Sequence, residues 1–197
     1  MKKKFDLTFC FKGNRNYVHG TDIFIKILEH FTNAHDIDIA FHDIAIKNMD
    51  FSTEKPKNKK IQVTFKCLKS EEKIKIFATE NNTNILCRYK YYEDKIINNS
   101  TINLEKENII LNKQTKYSFI EHIVAMNKTL HETLYSNVNG KWYFTRLRLE
   151  KDINMSDILS LELVLKSNFQ FKLTKSAIIV NKVTVGFIYF SLIPKES

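Results

Sequence analysis

The sequence predicts an α+β protein made of two copies of one unit, each a central helix wrapped by an antiparallel sheet. Three observations predict this. Two segments carry apolar residues at helical spacing around most of their surface, and each is followed by several runs that alternate apolar and polar residues. The order of elements repeats along the chain. Only 4 Gly and 2 Pro occur in 197 residues, while hydrophobic residues make up 43%, so the chain can build a core and is not a loop-rich scaffold.

The first alternating run is Phe5 to Phe11, with Phe5, Leu7, Phe9 and Phe11 on one face of a strand. Lys12 to Gly20 reads as a loop. Thr21 or Asp22 can cap the first helix, whose Ile23, Phe24, Ile27, Leu28 and Phe31 suggest burial on several sides. Asp36 to Phe51 alternates again and predicts one long bent strand. Lys55 to Lys60 is a polar turn. Ile61 to Leu68, Lys73 to Thr79 and Ile85 to Tyr92 predict three further strands. These elements form an expected N-terminal unit over residues 1–95.

Residues 96–108 are polar and Asn-rich and are expected to connect the units. The C-terminal unit, 109–197, holds a helix over Tyr117 to Tyr135 and a turn at Asn139-Gly140. Strands are predicted at Trp142 to Leu149, Leu159 to Leu165, Phe169 to Val180 and Val183 to Ile193, with a tight hairpin at Asn181-Lys182. Glu29-His30 in the first helix matches Glu121-His122 in the second. Leu68-Lys69-Ser70 and Leu165-Lys166-Ser167 are expected to mark the same turn in both halves.

Charge and cysteines narrow the function classes. The formal net charge is +9, but the lysines are scattered, with local runs only at Met1 to Lys4 and Lys55 to Lys60, so no nucleic-acid arm is expected. Cys10, Cys67 and Cys87 are far apart and form no CxxC pair, and His35, His42 and His131 lack ligand spacing. No metal site or cofactor is expected, and the thiols are expected to be buried and free. No run approaches the roughly 20 apolar residues of a membrane span. The opening Lys2 to Lys4 leads into an alternating strand rather than a leader, so the expected location is cytoplasmic.

The second half resembles the hotdog-fold 3-hydroxyacyl-carrier-protein dehydratases. The resemblance is carried by the helix Phe119-Ile120-Glu121-His122-Ile123-Val124-Ala125, the strand Trp142 to Leu149, the turn Asn154-Met155-Ser156-Asp157 and the hairpin Val180-Asn181-Lys182-Val183. In the first half, Phe11-Lys12-Gly13-Asn14 resembles the same family, with Asn14 where that pattern has a His. His19-Gly20-Thr21 resembles the His-Gly-Gly helix start of hotdog thioesterases.

The resemblance implies a double hotdog whose sheets join into one, acting on acyl thioesters of fatty acid or polyketide assembly. It implies His19 as general base and Glu121 as general acid. Asn14, Gly20, Thr21, Asp22 and His122 would contact substrate, with helix-start amides holding the thioester carbonyl. Asp22 also reads as a first-turn helix charge. Lys12, Arg15, Arg146 and Arg148 are candidates to meet an acidic acyl carrier protein or a pantetheine phosphate. An acyl-CoA is the other expected partner, and association as a homodimer or hetero-oligomer is compatible with the pattern. Dehydration of a 3-hydroxyacyl chain is the leading reading, with thioester hydrolysis and non-catalytic acyl or carrier binding as the alternatives.

Overall fold

The structure, a computed structural model, describes residues 4–151 and 158–194. The expected turn at 154–157 and the lysines at 2 and 3 lie outside the described residues. The chain divides into two compact units, Met1–Tyr91 and Tyr92–Ser197.

In the first unit, β1 (Lys4–Leu7) and β2 (Phe11–Lys12) precede helix α1 (Gly20–His30). Then follow β3 (His35–Phe41), β4 (Lys47–Ser52), β5 (Val63–Lys69), β6 (Glu72–Asn84) and β7 (Arg88–Tyr89). Five strands form an antiparallel sheet in the order β1-β4-β6-β5-β3. The expected Phe5 to Phe11 strand is split. It stops at Leu7, and Phe11 and Lys12 instead pair in parallel with Arg88 and Tyr89. The long strand expected over 36–51 is also two strands, because the chain leaves the sheet between Phe41 and Lys47.

Helix α1 buries Ile23, Phe24 and Ile27 and leaves Glu29 and His30 exposed, so it is amphipathic rather than apolar all round. Phe31, just past its end, is 2% exposed and meets the rings of Phe65 on β5 and Phe5 on β1 at 5.8 and 6.0 Å. Phe5 also stacks on Phe51 at 5.2 Å, so one aromatic cluster ties three strands to the helix end. Phe31, Phe51 and Phe65 are fully buried, and each such ring contributes about 1.5–3 kcal/mol.

In the second unit, α2 (Asp94–Ile97), β8 (Ser100–Asn103) and β9 (Asn108–Leu111) come first. The segment expected as a connector therefore folds, and β8 and β9 make a hairpin that extends the sheet. Helix α3 (Phe119–Leu134) and strands β10 (Lys141–Leu149), β11 (Leu161–Phe169), β12 (Leu173–Val180) and β13 (Val183–Ile193) complete the unit. The sheet order is β10-β13-β12-β11-β9-β8. Helix α3 packs on β9, β10, β11 and β13 and buries ten side chains, from Phe119 to His131.

The two units share element order but not strand pairing. In the second, β11, β12 and β13 form a meander through tight turns with positive φ at Gln170-Phe171 and Asn181-Lys182, the latter as expected. In the first, the polar segment between Ser52 and Val63 is too long for a tight hairpin, and β6 rather than β5 lies beside β4. The shared Leu-Lys-Ser does not mark one turn. Ser70 opens the β5–β6 turn with φ 48°, whereas Leu165 to Ser167 spans a register shift inside β11.

The cysteine expectation is corrected. Cys10 and Cys87 form a disulfide, with Cα atoms 4.7 Å apart, and only Cys67 is a buried free thiol. Their spacing of 77 residues hid the pairing, because the two strands that bring them together are remote in sequence. Among the described residues, no helix is long and apolar enough to cross a membrane.

Candidate functional site

Helix α1 starts at Gly20 with His19 as its N-cap in extended conformation. The amides of the first turn have no intrahelical acceptor, and the helix dipole favours negative charge in front of them. Asp22 and Ile23 turn their N–H groups to the His19 carbonyl. Gly20 and Thr21 lie at the opening itself.

Four of the expected residues gather here. His19 Nδ1 lies 2.7 Å from Thr21 Oγ1, and Thr21 Oγ1 lies 3.1 Å from Asp22 Oδ1. Thr21 is buried, and the Asp22 side chain is 13% exposed. Asn14 is not part of the group; it is exposed in the turn after β2.

Three more residues complete the cluster: Lys12, expected in another role, and Tyr89 and Tyr91, which the sequence did not single out. Lys12, wholly buried, donates from Nζ to Thr21 Oγ1 at 2.9 Å and to Asp22 Oδ1 at 3.2 Å. Its ammonium also sits 4.2 Å from the centre of the Tyr91 ring. Tyr89 donates its hydroxyl to Asp22 Oδ2 at 2.7 Å. A buried ammonium is tolerated only when paired, and Asp22, Thr21 and Tyr91 supply that pairing. Lys12 is thus withdrawn from the surface role expected of it. The signal in the sequence was faint: Lys12 ends an alternating apolar run, and the phase change that turns it inward depends on β2 pairing with β7.

That ribbon holds the cluster in place. Lys12 and Tyr89 are register partners, each two residues beyond a disulfide cysteine. Arg88 donates from Nη1 to the carbonyls of Gly13 and Arg15, and Gly13, at φ 59°, makes the turn that follows.

Glu121 and His122 belong to the second unit, where each has local partners. Glu121 Oε2 accepts from the Ser118 amide at 2.9 Å and from the Ser118 hydroxyl at 2.8 Å, the arrangement of a capping box at the start of α3. His122 is buried. Nδ1 faces the Ser118 carbonyl at 2.9 Å, Nε2 lies 2.9 Å from Thr115 Oγ1, and burial lowers its pKa. Of the two second-unit arginines, Arg148 pairs with Glu150 at 3.2 Å and Arg146 lies over the Tyr189 ring.

Comparison with solved structures bears on the fold. The chain is similar to the tesB protein of Mycobacterium avium subsp. paratuberculosis, with TM-score 0.51 and 9% identity over 97% of this chain and 93% of that one. It is similar to the pyran synthase domain from module nine of the sorangicin pathway, with TM-score 0.51 and 5% identity over 99% and 94%. These are likenesses of fold alone, and the shared fold is the hotdog fold. No protein-family model matches the chain, and no curated protein is significantly similar to it.

Proposed function

We propose that this protein acts on acyl thioesters at the start of α1, with His19 as general base and the Gly20 and Thr21 amides as donors to the thioester carbonyl. The observation that carries the reading is the convergence of His19, Thr21, Asp22 and buried Lys12 at the start of α1, where the Gly20 and Thr21 amides open the helix. A polar cluster of this kind, built where negative charge develops on a carbonyl oxygen, suits acyl chemistry.

Hydrolysis is the reaction these residues support best. His19 takes a proton from water, the hydroxide adds to the carbonyl, and the oxyanion meets the first-turn amides. The C–S bond then breaks and the thiolate leaves with the proton. This needs one base and no second acid. The alternative is 3-hydroxyacyl dehydration, which the sequence resemblance favours. There His19 removes the α-proton and Glu121 protonates the departing hydroxyl. Its demand is heavier, because Glu121 Oε2 already accepts two hydrogen bonds from Ser118. The double hotdog, and a carrier protein or CoA as bearer of the acyl chain, belong to the same reading.

The test is incubation with acyl-CoA and with 3-hydroxyacyl-carrier protein, reading free thiol and enoyl product separately. Thiol release abolished by His19→Gln supports hydrolysis, and enoyl product lost in both His19→Gln and Glu121→Gln supports dehydration. Binding of carrier protein with neither product would leave a non-catalytic acyl-binding role.

A further inference from the structure

We infer that Lys12 is a positioning residue that fixes which nitrogen of His19 carries the proton. The inference rests on the proposed role of His19, and it follows from counting protons around one hydroxyl.

Thr21 Oγ1 has one hydrogen and two lone pairs. It has three neighbours: Lys12 Nζ at 2.9 Å, Asp22 Oδ1 at 3.1 Å and His19 Nδ1 at 2.7 Å. Lys12 has only hydrogens to give, so it fills one lone pair. One hydrogen and one lone pair remain for Asp22 and His19. The Asp22 carboxylate, which accepts from Lys12 on Oδ1 and from the Tyr89 hydroxyl on Oδ2, has no hydrogen to offer. It therefore takes the Thr21 hydrogen. The lone pair left over accepts from His19, which must hold its proton on Nδ1. Nε2 then carries no hydrogen and is the nitrogen that serves as the base. The opposite assignment would set two oxygens facing at 3.1 Å with no hydrogen between them.

Lys12 is the origin of this order because it is the counter-charge of Asp22. An uncompensated carboxylate this sheltered is either neutralised by a proton or turned out to solvent. In either case Asp22 stops accepting from Thr21, the Thr21 hydroxyl turns to His19 Nδ1, and the proton moves to Nε2. His19 then faces substrate as a donor and not as a base. Lys12 reaches the reaction through two other side chains. Tyr89, the register partner of Lys12, donates to the other oxygen of the same carboxylate.

The experiment is nitrogen NMR of histidine-labelled protein above the titration range of the imidazole, with the His19 signals assigned by their loss in His19→Gln. In the unaltered protein His19 is expected as the Nδ1–H tautomer. In Lys12→Met the balance is expected to shift to Nε2–H, and thioester turnover should fall roughly a hundredfold in kcat with KM little changed, the usual scale of a lost general base. Thr21→Val, nearly isosteric, is the second variant and is expected to lose the Nδ1–H preference as well.

An Nε2–H tautomer in the unaltered protein, or an Nδ1–H tautomer that persists in Lys12→Met, overturns the inference. If Lys12→Met does not fold, an Nδ1–H tautomer that persists in Thr21→Val overturns it. The tautomer is read without any substrate. A shift of tautomer in a protein that turns over no acyl thioester would uphold the role of Lys12 and reject the proposed function instead.

Discussion

Lowering the pH should destabilise the second unit through a single imidazole, that of His131. His131 is 0% exposed, on the inner face of α3. Its Nδ1 lies 2.5 Å from the Asn127 carbonyl and its Nε2 lies 2.7 Å from Thr174 Oγ1 on β12. The rings of Trp142, Phe190 and Tyr135 surround it, at 4.6, 5.7 and 6.2 Å. Burial pushes its pKa down to about 4 from the ordinary 6.5. The folded imidazole thus stays neutral where the unfolded one is already charged. Between these two values the unfolded chain binds a proton that the folded chain refuses, so stability is fully present above pH 6.5 and falls as pH drops towards 4. The shift corresponds to about 3 kcal/mol.

His131→Phe isolates this contribution. The ring keeps most of its packing but loses two hydrogen bonds, which costs about 1–2 kcal/mol at neutral pH. The variant does not titrate at this position. Its stability curve should therefore cross that of the parent between about pH 5 and 6 and lie above it at pH 4. Urea unfolding at a series of pH values, followed by Trp142, the only tryptophan of the chain, measures the difference. Other groups cancel in that difference. A gap between the two proteins that does not change with pH would refute the reasoning, because it would mean that His131 ionises at no cost.

Removal of the capping box by Glu121→Ala should lower stability by about 1 kcal/mol in thermal or urea unfolding, and thiol release should be unchanged if Glu121 is structural alone. Gly186→Ala would put a Cβ 2.1 Å from the Arg148 carbonyl oxygen, inside the β10–β13 pairing. The strands must separate locally, with an expected loss of about 1–3 kcal/mol in urea unfolding. Opening the Cys10–Cys87 bond, by reductant or by Cys87→Ala, frees a loop of 77 residues. The first unit should lose up to about 4 kcal/mol, measured as a difference in unfolding midpoint with and without reductant. A disulfide of this kind persists in oxidising surroundings, so the same comparison shows how far the protein depends on them.

Local pattern carried much of the fold. The alternation through Val183 to Ile193 and the Asn181-Lys182 turn were legible because a strand and its tight hairpin are settled by neighbouring residues. So was the second helix, whose apolar positions recur within a few turns. What escaped depends on distant partners. The Ile85 to Tyr92 strand shrank to Arg88–Tyr89 because its partner is β2, nearly eighty residues earlier. The polar stretch before Asn108 reads as a linker, yet Ile109 and Ile102 face each other in a hairpin.

The candidate site shows the same division. His19, Gly20, Thr21 and Asp22 are adjacent in sequence and mark a helix start by themselves. Lys12, Tyr89 and Tyr91 join them only through the ribbon and its disulfide; Lys12 reads as a surface cation, and a tyrosine in an aromatic-rich chain draws no notice. Glu121 drew notice because it sits among apolar residues, but an acid three places after Ser118 is also the signature of a cap.

The different placement of β5 and β6 in the first unit bears on how each half assembles. In the second unit the strands β11, β12 and β13 can zip in succession as they emerge from synthesis, each onto its immediate predecessor. In the first unit β4 has no partner on its β6 side until both later strands exist, since the β5–β6 hairpin must form and present β6 to it. That closure, joining Ser52 to Phe77 at its nearest, spans a longer stretch than the tight turns between β11, β12 and β13, and costs more entropy before any contact offsets it. β4, although made before β5 and β6, is therefore a strand that waits, as β10 waits for β13 in the second unit.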